Sequence, residues 1–321
     1  MTLGQRGLSR VGGRFSTSFS QPLGAHVRPG KLWGYHIDFR VKAEAPDWPP
    51  ETLPGRALDL WVNVAQWGLG CFERYAAGEG ERWLEGAQVA GQWLVEHQTR
   101  GGLLDGAWFH QVPYHHTFPL PAPWLSGMAQ GEAASLLSRL GAELDEEQLT
   151  DAAIRALGPL RVPSAQGGAL ATLEGGPFYE EYPTQPGSFV LNGAIFALFG
   201  VHDVATALDD ATLRAEFEIS VATLAAGLHR WDTGFWSRYD LFPHPVPNLA
   251  SAAYHTLHIT QLTALERLAA PEQVVAIRDR FVGYERSRLG LARALGAKVA
   301  FRMVVPRNEL LARRLPWSRI K

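Results

Sequence analysis

The chain of 321 residues contains 46% hydrophobic and 19% charged residues, which is typical of a globular protein with a sizeable core. Its 30 Lys and Arg residues are balanced by 32 Asp and Glu residues, so the basic field that nucleic-acid binding requires is lacking. Cys71 is the single cysteine, which excludes a disulfide framework and a metal site built from cysteines.

Residues 1–54 are predicted to be a flexible N-terminus with a short β segment and a proline-rich linker. Residues 1–30 are rich in Ser and Gly and lack the apolar region of a secretory signal. The chain also shows no uninterrupted apolar run of about 18 residues, so we expect a cytoplasmic protein without a membrane partner. Apolar and polar residues alternate over 31–43, which predicts a strand or hairpin, and prolines interrupt 44–54.

Residues 55–288 show a helical pattern that recurs in pairs. Apolar side chains at helical spacing fill 56–76 and 81–98, which predicts one helical hairpin. Three further pairs follow, in each of which an apolar run precedes a more charged run: 124–141 with 145–158, 188–201 with 209–229, and 249–268 with 271–288. Each hairpin leaves an apolar face that its neighbours must cover. We therefore predict an all-α fold, an (α/α) toroid or barrel with the first helix of each pair inside, followed by a basic C-terminal extension over 289–321.

The long connections at 101–123, 159–187 and 230–248 carry many of the Tyr, His, Trp and Pro residues. In a toroid of hairpins such connections gather at one end, and long loops in a compact domain often carry function. We therefore expect the functional site at that end. The candidates to line it are Trp108, Trp124, Trp236, His115 and His116, whereas the other tryptophans are interpreted as core residues.

Three segments carry a resemblance to a known family. They are WLSGMAQGEA from Trp124 to Ala133, FYEEYPT from Phe178 to Thr184 with SFVLNG from Ser188 to Gly193, and YDL at Tyr239 with PNLA at Pro247 and YHTLHI at Tyr254. In this order and spacing they resemble the C-terminal catalytic domain of D-glucuronyl C5-epimerases, which convert glucuronic to iduronic acid units in heparan- or heparosan-type polysaccharides. The resemblance implies an isomerase that acts on an acidic polysaccharide, works without a cofactor and forms a homodimer.

The resemblance also implies an acid/base pair. Inversion at C5 removes a proton next to a carboxylate and returns one on the opposite face of the sugar, so two groups must lie within reach of one carbon. Glu181 and Tyr254 match the family positions for this pair. Tyr182 and Tyr239 match further active-site tyrosines, which we expect to hold the substrate and to donate to its carboxylate. Glu180 is given a structural role.

A second group of residues is predicted to contact the substrate. Arg230 and Arg238 are candidates for the carboxylate, because a guanidinium can bind a carboxylate through two hydrogen bonds. His255 and His258 are three positions apart and therefore share a helix face, but no third ligand is evident, so no metal is expected. The remaining candidates lie within the family segments or next to predicted helix starts: Trp124, Gln130, Asn192 and Asn248.

Departures from the family pattern leave two alternatives open. Phe242 stands where the family has an Arg after Tyr-Asp-Leu, and Ser251, Ala252 and Ala253 replace polar positions before Tyr254. These losses bring a sulfated substrate into question more than the reaction type. A uronate lyase or hydrolase of the same toroid type, or a non-catalytic protein that binds acidic glycans, is therefore weighed beside the epimerase.

Overall fold

The computed structural model describes residues 21–25, 32–44, 60–114 and 117–306. Within these ranges the chain is mostly helical, as predicted, with the helices α1 Leu60–Ala76, α2 Arg82–His97, α3 Gly127–Leu144, α4 Glu147–Ala156, α5 Leu191–Leu208, α6 Ala211–Gly227, α7 Ala252–Leu268, α8 Glu272–Glu285 and α9 Arg288–Val304. Two antiparallel pairs of short strands lie in the connections: β1 (Phe109–His110) with β2 (Trp124–Leu125), and β3 (Leu170–Leu173) with β4 (Gly176–Tyr179).

The first eight helices form four hairpins, α1/α2, α3/α4, α5/α6 and α7/α8, as the paired pattern predicts. The first helix of each hairpin also contacts the first helix of the next, so that α1, α3, α5 and α7 form a continuous inner row. All side chains of α3 from Gly127 to Gly141 are buried. Among the described residues α5 alone is long and apolar enough to cross a membrane, yet 78% of it is buried in the protein, as in a core helix.

Polar caps fix the start of several helices. Ser126 accepts a hydrogen bond from the Ala129 N–H at the start of α3, and Asp210 does the same for Thr212 and Leu213 at the start of α6. At the start of α7, the Ser251 hydroxyl accepts from the Tyr254 N–H. A predicted catalytic tyrosine is thereby held in the first turn of an inner helix.

Glycines allow the two central inner helices to cross at close range. A Cβ atom at Gly131 of α3 would lie 2.4 Å from the Ala197 Cα of α5, and one at Gly200 would lie 2.5 Å from the Gly131 Cα. Such separations are far below van der Waals contact, so the backbones touch where no side chain could fit. The small residues of the two helices therefore serve the crossing.

The predicted N-terminal strand is reduced to a single bridge. Residues 35–39 are all buried, and Ile37 forms an isolated antiparallel bridge with Leu23. The alternating pattern predicted one buried and one solvated face, but the core covers this segment on both sides. The predicted linker over 44–54 lies outside the described residues apart from Glu44, and the domain boundaries stay predictions.

Buried ionic groups join this segment to the inner helices. Asp203 of α5 accepts from Arg139 of α3 through Oδ2 at 2.6 Å, while its Oδ1 lies 2.8 Å from His36 Nε2 and 3.2 Å from His202 Nδ1. Within the described ranges His36, His202 and Asp203 bring ligand-type atoms within 4.8 Å of one another. The adjacent guanidinium opposes a cation there, because both carboxylate oxygens are already engaged.

Candidate active site

The connection from β4 to α5 is fastened by Glu180. The Oε2 atom of this buried carboxyl accepts from the Ser188 hydroxyl at 2.5 Å and from the Phe189 N–H at 2.9 Å. Phe189 has a φ of 49°, a left-handed conformation that the bond to Glu180 helps to hold. Burial raises the pKa of Glu180 to about 7. Its contacts agree with the structural role expected from the sequence.

Glu181 points from this connection toward the start of α5. It is buried, and the Asn192 Nδ2 donates to its Oε2 at 3.4 Å. Gly193 gives it room, because a Cβ atom there would lie 2.4 Å from the Glu181 side chain. Asn192 thus contacts the predicted acid/base carboxylate, which gives it a role beside the predicted substrate contact.

Tyr239 lies between the start of α5 and the segment at Asn248. Its N–H donates to the Asn248 carbonyl at 2.8 Å, and its own carbonyl accepts from the Leu191 N–H at 3.2 Å. Burial, followed by the charges of Glu181 and Tyr254, raises the pKa of the Tyr239 hydroxyl well above its ordinary value of 10.0. The hydroxyl therefore keeps its proton at neutral pH and is available as a hydrogen-bond donor.

Tyr254 meets Tyr239 from the first turn of α7. The two ring centres are 4.9 Å apart and the planes are 68° from each other, an edge-on contact. Both rings are half-buried, whereas Glu181 is buried. The structure therefore brings Glu181, Tyr239 and Tyr254 together from three different parts of the chain.

An aromatic wall continues the cluster on the side of Tyr182. The Tyr182 ring stacks on Tyr114 with centres 4.8 Å apart and lies 5.1 Å from Phe118. Tyr114 is also close enough to Tyr239 to help raise the pKa of the Tyr239 hydroxyl. The aromatic wall therefore lies near Tyr239. Tyr114 lies outside the family segments, and its position in the long aromatic loop is the one signal in the sequence that marks it.

The tryptophans expected in the cleft support this wall from the core. Trp124 is 4% exposed, and its ring is stacked on His110 with centres 4.1 Å apart, so it backs Tyr182 rather than facing solvent. Trp108 and Trp236 are buried and donate to the carbonyls of Leu94 and Ala250. The three tryptophans therefore pack inside the protein, where ligand contacts had been predicted. His115 and His116 lie outside the described residues.

A second buried carboxyl lies behind Glu181. Glu132 of α3 accepts from the Gln66 Nε2 of α1 at 2.8 Å, and Lys42 in turn donates to Gln66. Burial raises the pKa of Glu132 to about 8, and the charge of Glu181 contributes in the same direction. Glu132 lies inside the first family segment, but nothing in that segment indicates that the charge of Glu181 would act on it.

Three residues predicted to contact the substrate form hydrogen bonds within the protein instead. The amide of Gln130 donates to the carbonyls of Gly106 and Ala156, and its oxygen accepts from the Trp108 N–H, so it fastens loops to α3. His255 and His258 are also buried and serve another purpose, described next. The error has one cause, since a polar residue in a motif can point inward as well as toward a cleft.

Both histidines of α7 are bonded to Ser237. His255 donates through Nε2 to the Phe281 carbonyl at 3.1 Å, so its Nδ1 accepts from the Ser237 hydroxyl at 2.7 Å, and His258 Nδ1 lies 2.9 Å from the same oxygen. Burial lowers the pKa of His255 to about 4 and that of His258 well below its ordinary range. Neutral, inward-facing imidazoles correct the expectation that they contact substrate or tune Tyr254 electrostatically.

The remaining candidates are Arg230, Asn248 and Arg238, which differ in how far they are buried. Arg230 is exposed and pairs with Glu174 of the β3–β4 turn at 3.4 Å, and its predicted contact with a substrate carboxylate stays a prediction. Asn248 is buried and donates to Asp240, while its oxygen accepts from Lys298, so it belongs to the frame of the site. Arg238 is half-buried with Asp240 as its attracting charge, and its predicted substrate contact stays a prediction.

Comparisons with known proteins point to one family. The model of the family described as D-glucuronyl C5-epimerase C-terminus matches residues 104–283. A D-glucuronyl C5-epimerase of Caenorhabditis elegans is 33% identical over 217 residues, which cover 61% of this chain and 34% of the relative. The chain therefore spans about a third of the length of that relative. The matched range contains Glu181, Tyr182, Tyr239 and Tyr254, but not α9.

Proposed function

Because the chain belongs to the D-glucuronyl C5-epimerase C-terminus family, we propose that it inverts C5 of glucuronic acid units within a polysaccharide to give iduronic acid units. One observation carries the proposal. Glu181 and Tyr254, which the two faces of a sugar carbon would need, are both near Tyr239 although 73 positions separate them in the chain: the Tyr254 ring contacts the Tyr239 ring, and the charge of Glu181 acts on the Tyr239 hydroxyl. Had they belonged to separate regions, no single carbon could have met both groups.

The proposed reaction needs a base on one face of the sugar and an acid on the other. One of Glu181 and Tyr254 takes the C5 proton, and the electron pair of the C–H bond moves into the adjacent carboxyl group. The other group then returns a proton to C5 from the opposite face, which inverts the centre. The group that took the proton then releases it to water and the other group takes one up from water, which restores the original protonation states without a cofactor.

Charge builds up on the substrate carboxyl in the intermediate. Tyr239, which keeps its proton at neutral pH, is suited to donate a hydrogen bond to that oxygen as the charge develops. Tyr182 and the neighbouring Tyr114 are suited to hold the sugar units of the polymer, since they are half-buried aromatic residues beside the acid/base groups.

Three finer expectations belong to the same proposal. We propose a heparosan- or heparan-type polymer as the substrate class, a homodimer as the assembly, and closure of the inner row of helices into a toroid. The contacts between α1 and α3, α3 and α5, and α5 and α7 support the last of these, since each inner helix is turned toward the next.

Incubation of the protein with unsulfated polymers of glucuronic acid units in deuterated water tests the reaction. We expect deuterium at C5 and the appearance of iduronic acid, without new ultraviolet absorbance. A uronate lyase would share the proton removal but expel the substituent at C4, and its product would absorb in the ultraviolet. A polymer that binds without exchange would identify a non-catalytic glycan-binding protein, and absence of exchange on any uronate polymer would contradict the proposal.

A further inference from the structure

Helix α9 lies against the loops that carry the candidate site. Its Phe301 ring meets His244 edge-on at 5.0 Å, and Ala294 packs with Trp236 and Leu249 in a small buried cluster. The guanidinium of Arg302 also donates to the Thr117 hydroxyl at 3.2 Å, in the loop next to Tyr114 and Phe118. This helix therefore bridges two loops that border the tyrosine cluster, although it lies beyond the residues that match the family.

Lys298 is the residue of α9 that reaches the site itself. Its Nζ donates to the Asn248 Oδ1 and to the Leu249 carbonyl, both at 2.7 Å. Asn248 donates in turn to Asp240 and accepts the Tyr239 N–H at its own carbonyl. The ammonium group also lies 5.8 Å from the centre of the Tyr239 ring. One cation thus fixes Asn248, which is bonded to Tyr239, and Leu249, which forms a bridge with Arg238 next to it.

The charges around Tyr239 give this cation an electrostatic role. The titratable groups that act on the Tyr239 hydroxyl are Glu181 from the β4–α5 connection, Tyr254 from α7, Tyr114 from the aromatic loop and Asp240 from the same loop. All four are neutral or negative, and Asp240 has His244 as a further neighbour at 3.5 Å. A uronate carboxylate would add negative charge to this set before its own charge increased in the reaction.

We propose that Lys298 is a positioning residue that holds Tyr239 through Asn248 and Leu249 and supplies positive charge against which the uronate carboxylate is bound and its C5 proton removed. This inference rests on the proposed function. It gives a role in the reaction to α9, a helix that lies outside the residues matched by the family.

Removal of the charge tests the inference. In Lys298→Met we expect kcat for C5 deuterium exchange to fall about tenfold or more, while KM for the polymer also rises. The acid limb of the pH–rate profile should move to higher pH, because loss of a nearby cation raises the pKa of the group that must be deprotonated. Arg288→Met removes an equal charge from the exposed start of the same helix and should leave rate and profile unchanged.

Chemical rescue separates charge from packing. In Lys298→Cys, the thiolate displaces bromide from 2-bromoethylamine, so that a C–S bond forms, the C–Br bond breaks and an ammonium group returns to nearly the original place. Cys71 should not react, since it is buried and burial raises the pKa of its thiol to about 12. We expect recovery of rate and pH profile with 2-bromoethylamine but not with iodoacetamide, which adds a neutral group.

The outcomes are distinct. If the wild type exchanges C5 protons while Lys298→Met keeps both kcat and the pH profile, the inference is overturned and the proposed function stands. Equal recovery with both reagents, or recovery with neither in a folded variant, would also overturn it, since charge would then not be the decisive property. An inactive wild type overturns the proposed function, and this inference with it.

Discussion

Tyr239 and Tyr254 are in contact near Glu181, but their two hydroxyl groups have different surroundings. Tyr239 is enclosed next to Glu181, and the raised pKa of its hydroxyl keeps it protonated and able to donate. Tyr254 stands in the first turn of α7, where the positive end of the helix dipole favours negative charge. These surroundings support the proposal that Tyr239 donates a hydrogen bond and that Tyr254 transfers a proton at C5.

The Tyr254 hydroxyl is expected to be essential for that transfer. Tyr254→Phe keeps the ring and its edge-on contact with Tyr239 but removes the proton-carrying oxygen, so we expect C5 exchange to fall by about 100-fold or more at unchanged fold. Deuterium incorporation and circular dichroism measure the two properties. Tyr75→Phe, whose hydroxyl bonds to Glu143 on the surface, should remain fully active. Full activity in Tyr254→Phe would show that the acid/base assignment is wrong.

The Glu181 carboxylate is expected to be equally necessary. Glu181→Gln preserves size and an oxygen that can accept from Asn192, but it cannot take up or release a proton at C5, so exchange should again fall about 100-fold or more. The exposed Glu174→Gln, on the β3–β4 turn, is the matched control and should exchange at the wild-type rate. Comparable rates in the two variants would remove Glu181 from the mechanism.

Individual site residues could be predicted only where a motif marks them. Glu181, Tyr239 and Tyr254 match family positions, and the structure brings them together. Gln130 and His255 occur in the same motifs but point into the core, since a linear pattern does not show which side of an element faces the cleft. Lys298 could not be found in this way, because its role depends on a fold-back of α9 onto distant loops.

The helices themselves were largely predictable, with a consistent difference at their starts. The inner runs predicted from 124, 188 and 249 begin as helices at 127, 191 and 252. In each case the preceding residues are not helical: the first set contains β2 and the cap Ser126, the second contains the left-handed Phe189, and the third contains the cap Ser251. The apolar pattern continues through these residues because they are buried in the loops, and burial alone does not distinguish the two conformations.

The crossing of α3 and α5 predicts a large effect from one methyl group. Gly200→Ala would place Cβ 2.5 Å from Gly131, and we expect the free energy of unfolding to fall by about 1–3 kcal/mol. Gly296→Ala in α9 has no heavy atom within 4 Å and should instead raise it by about 0.5–1 kcal/mol through helix propensity. Denaturant unfolding measures both. If Gly200→Ala left the free energy of unfolding unchanged, the two helices could move apart at this crossing without a loss of stability.

At the scale of the whole molecule, several carboxyl groups in the described part of the chain are buried in the core. Burial raises the pKa of Glu73 and of Glu180 to about 7 and that of Glu132 to about 8. An acid whose pKa is higher in the folded than in the unfolded state binds more protons when folded, so stability falls as pH rises between the two values. The protein is therefore expected to lose stability across the neutral range.

Glu132 allows this linkage to be tested in isolation. Its pKa rises from 4.5 to about 8 on folding, so the wild type loses stability between these values and levels off above about pH 8. Glu132→Gln keeps an oxygen that can accept from Gln66 but does not titrate, so its free energy of unfolding should gain on the wild type as pH rises from about 5 to about 8. The other buried acids are present in both proteins and cancel in the difference, except for Glu181, whose charge acts on Glu132. Glu218→Gln on the exposed side of α6 should show a difference that does not vary with pH. If the Glu132→Gln difference were equally flat, Glu132 would be charged in the folded protein in spite of its burial.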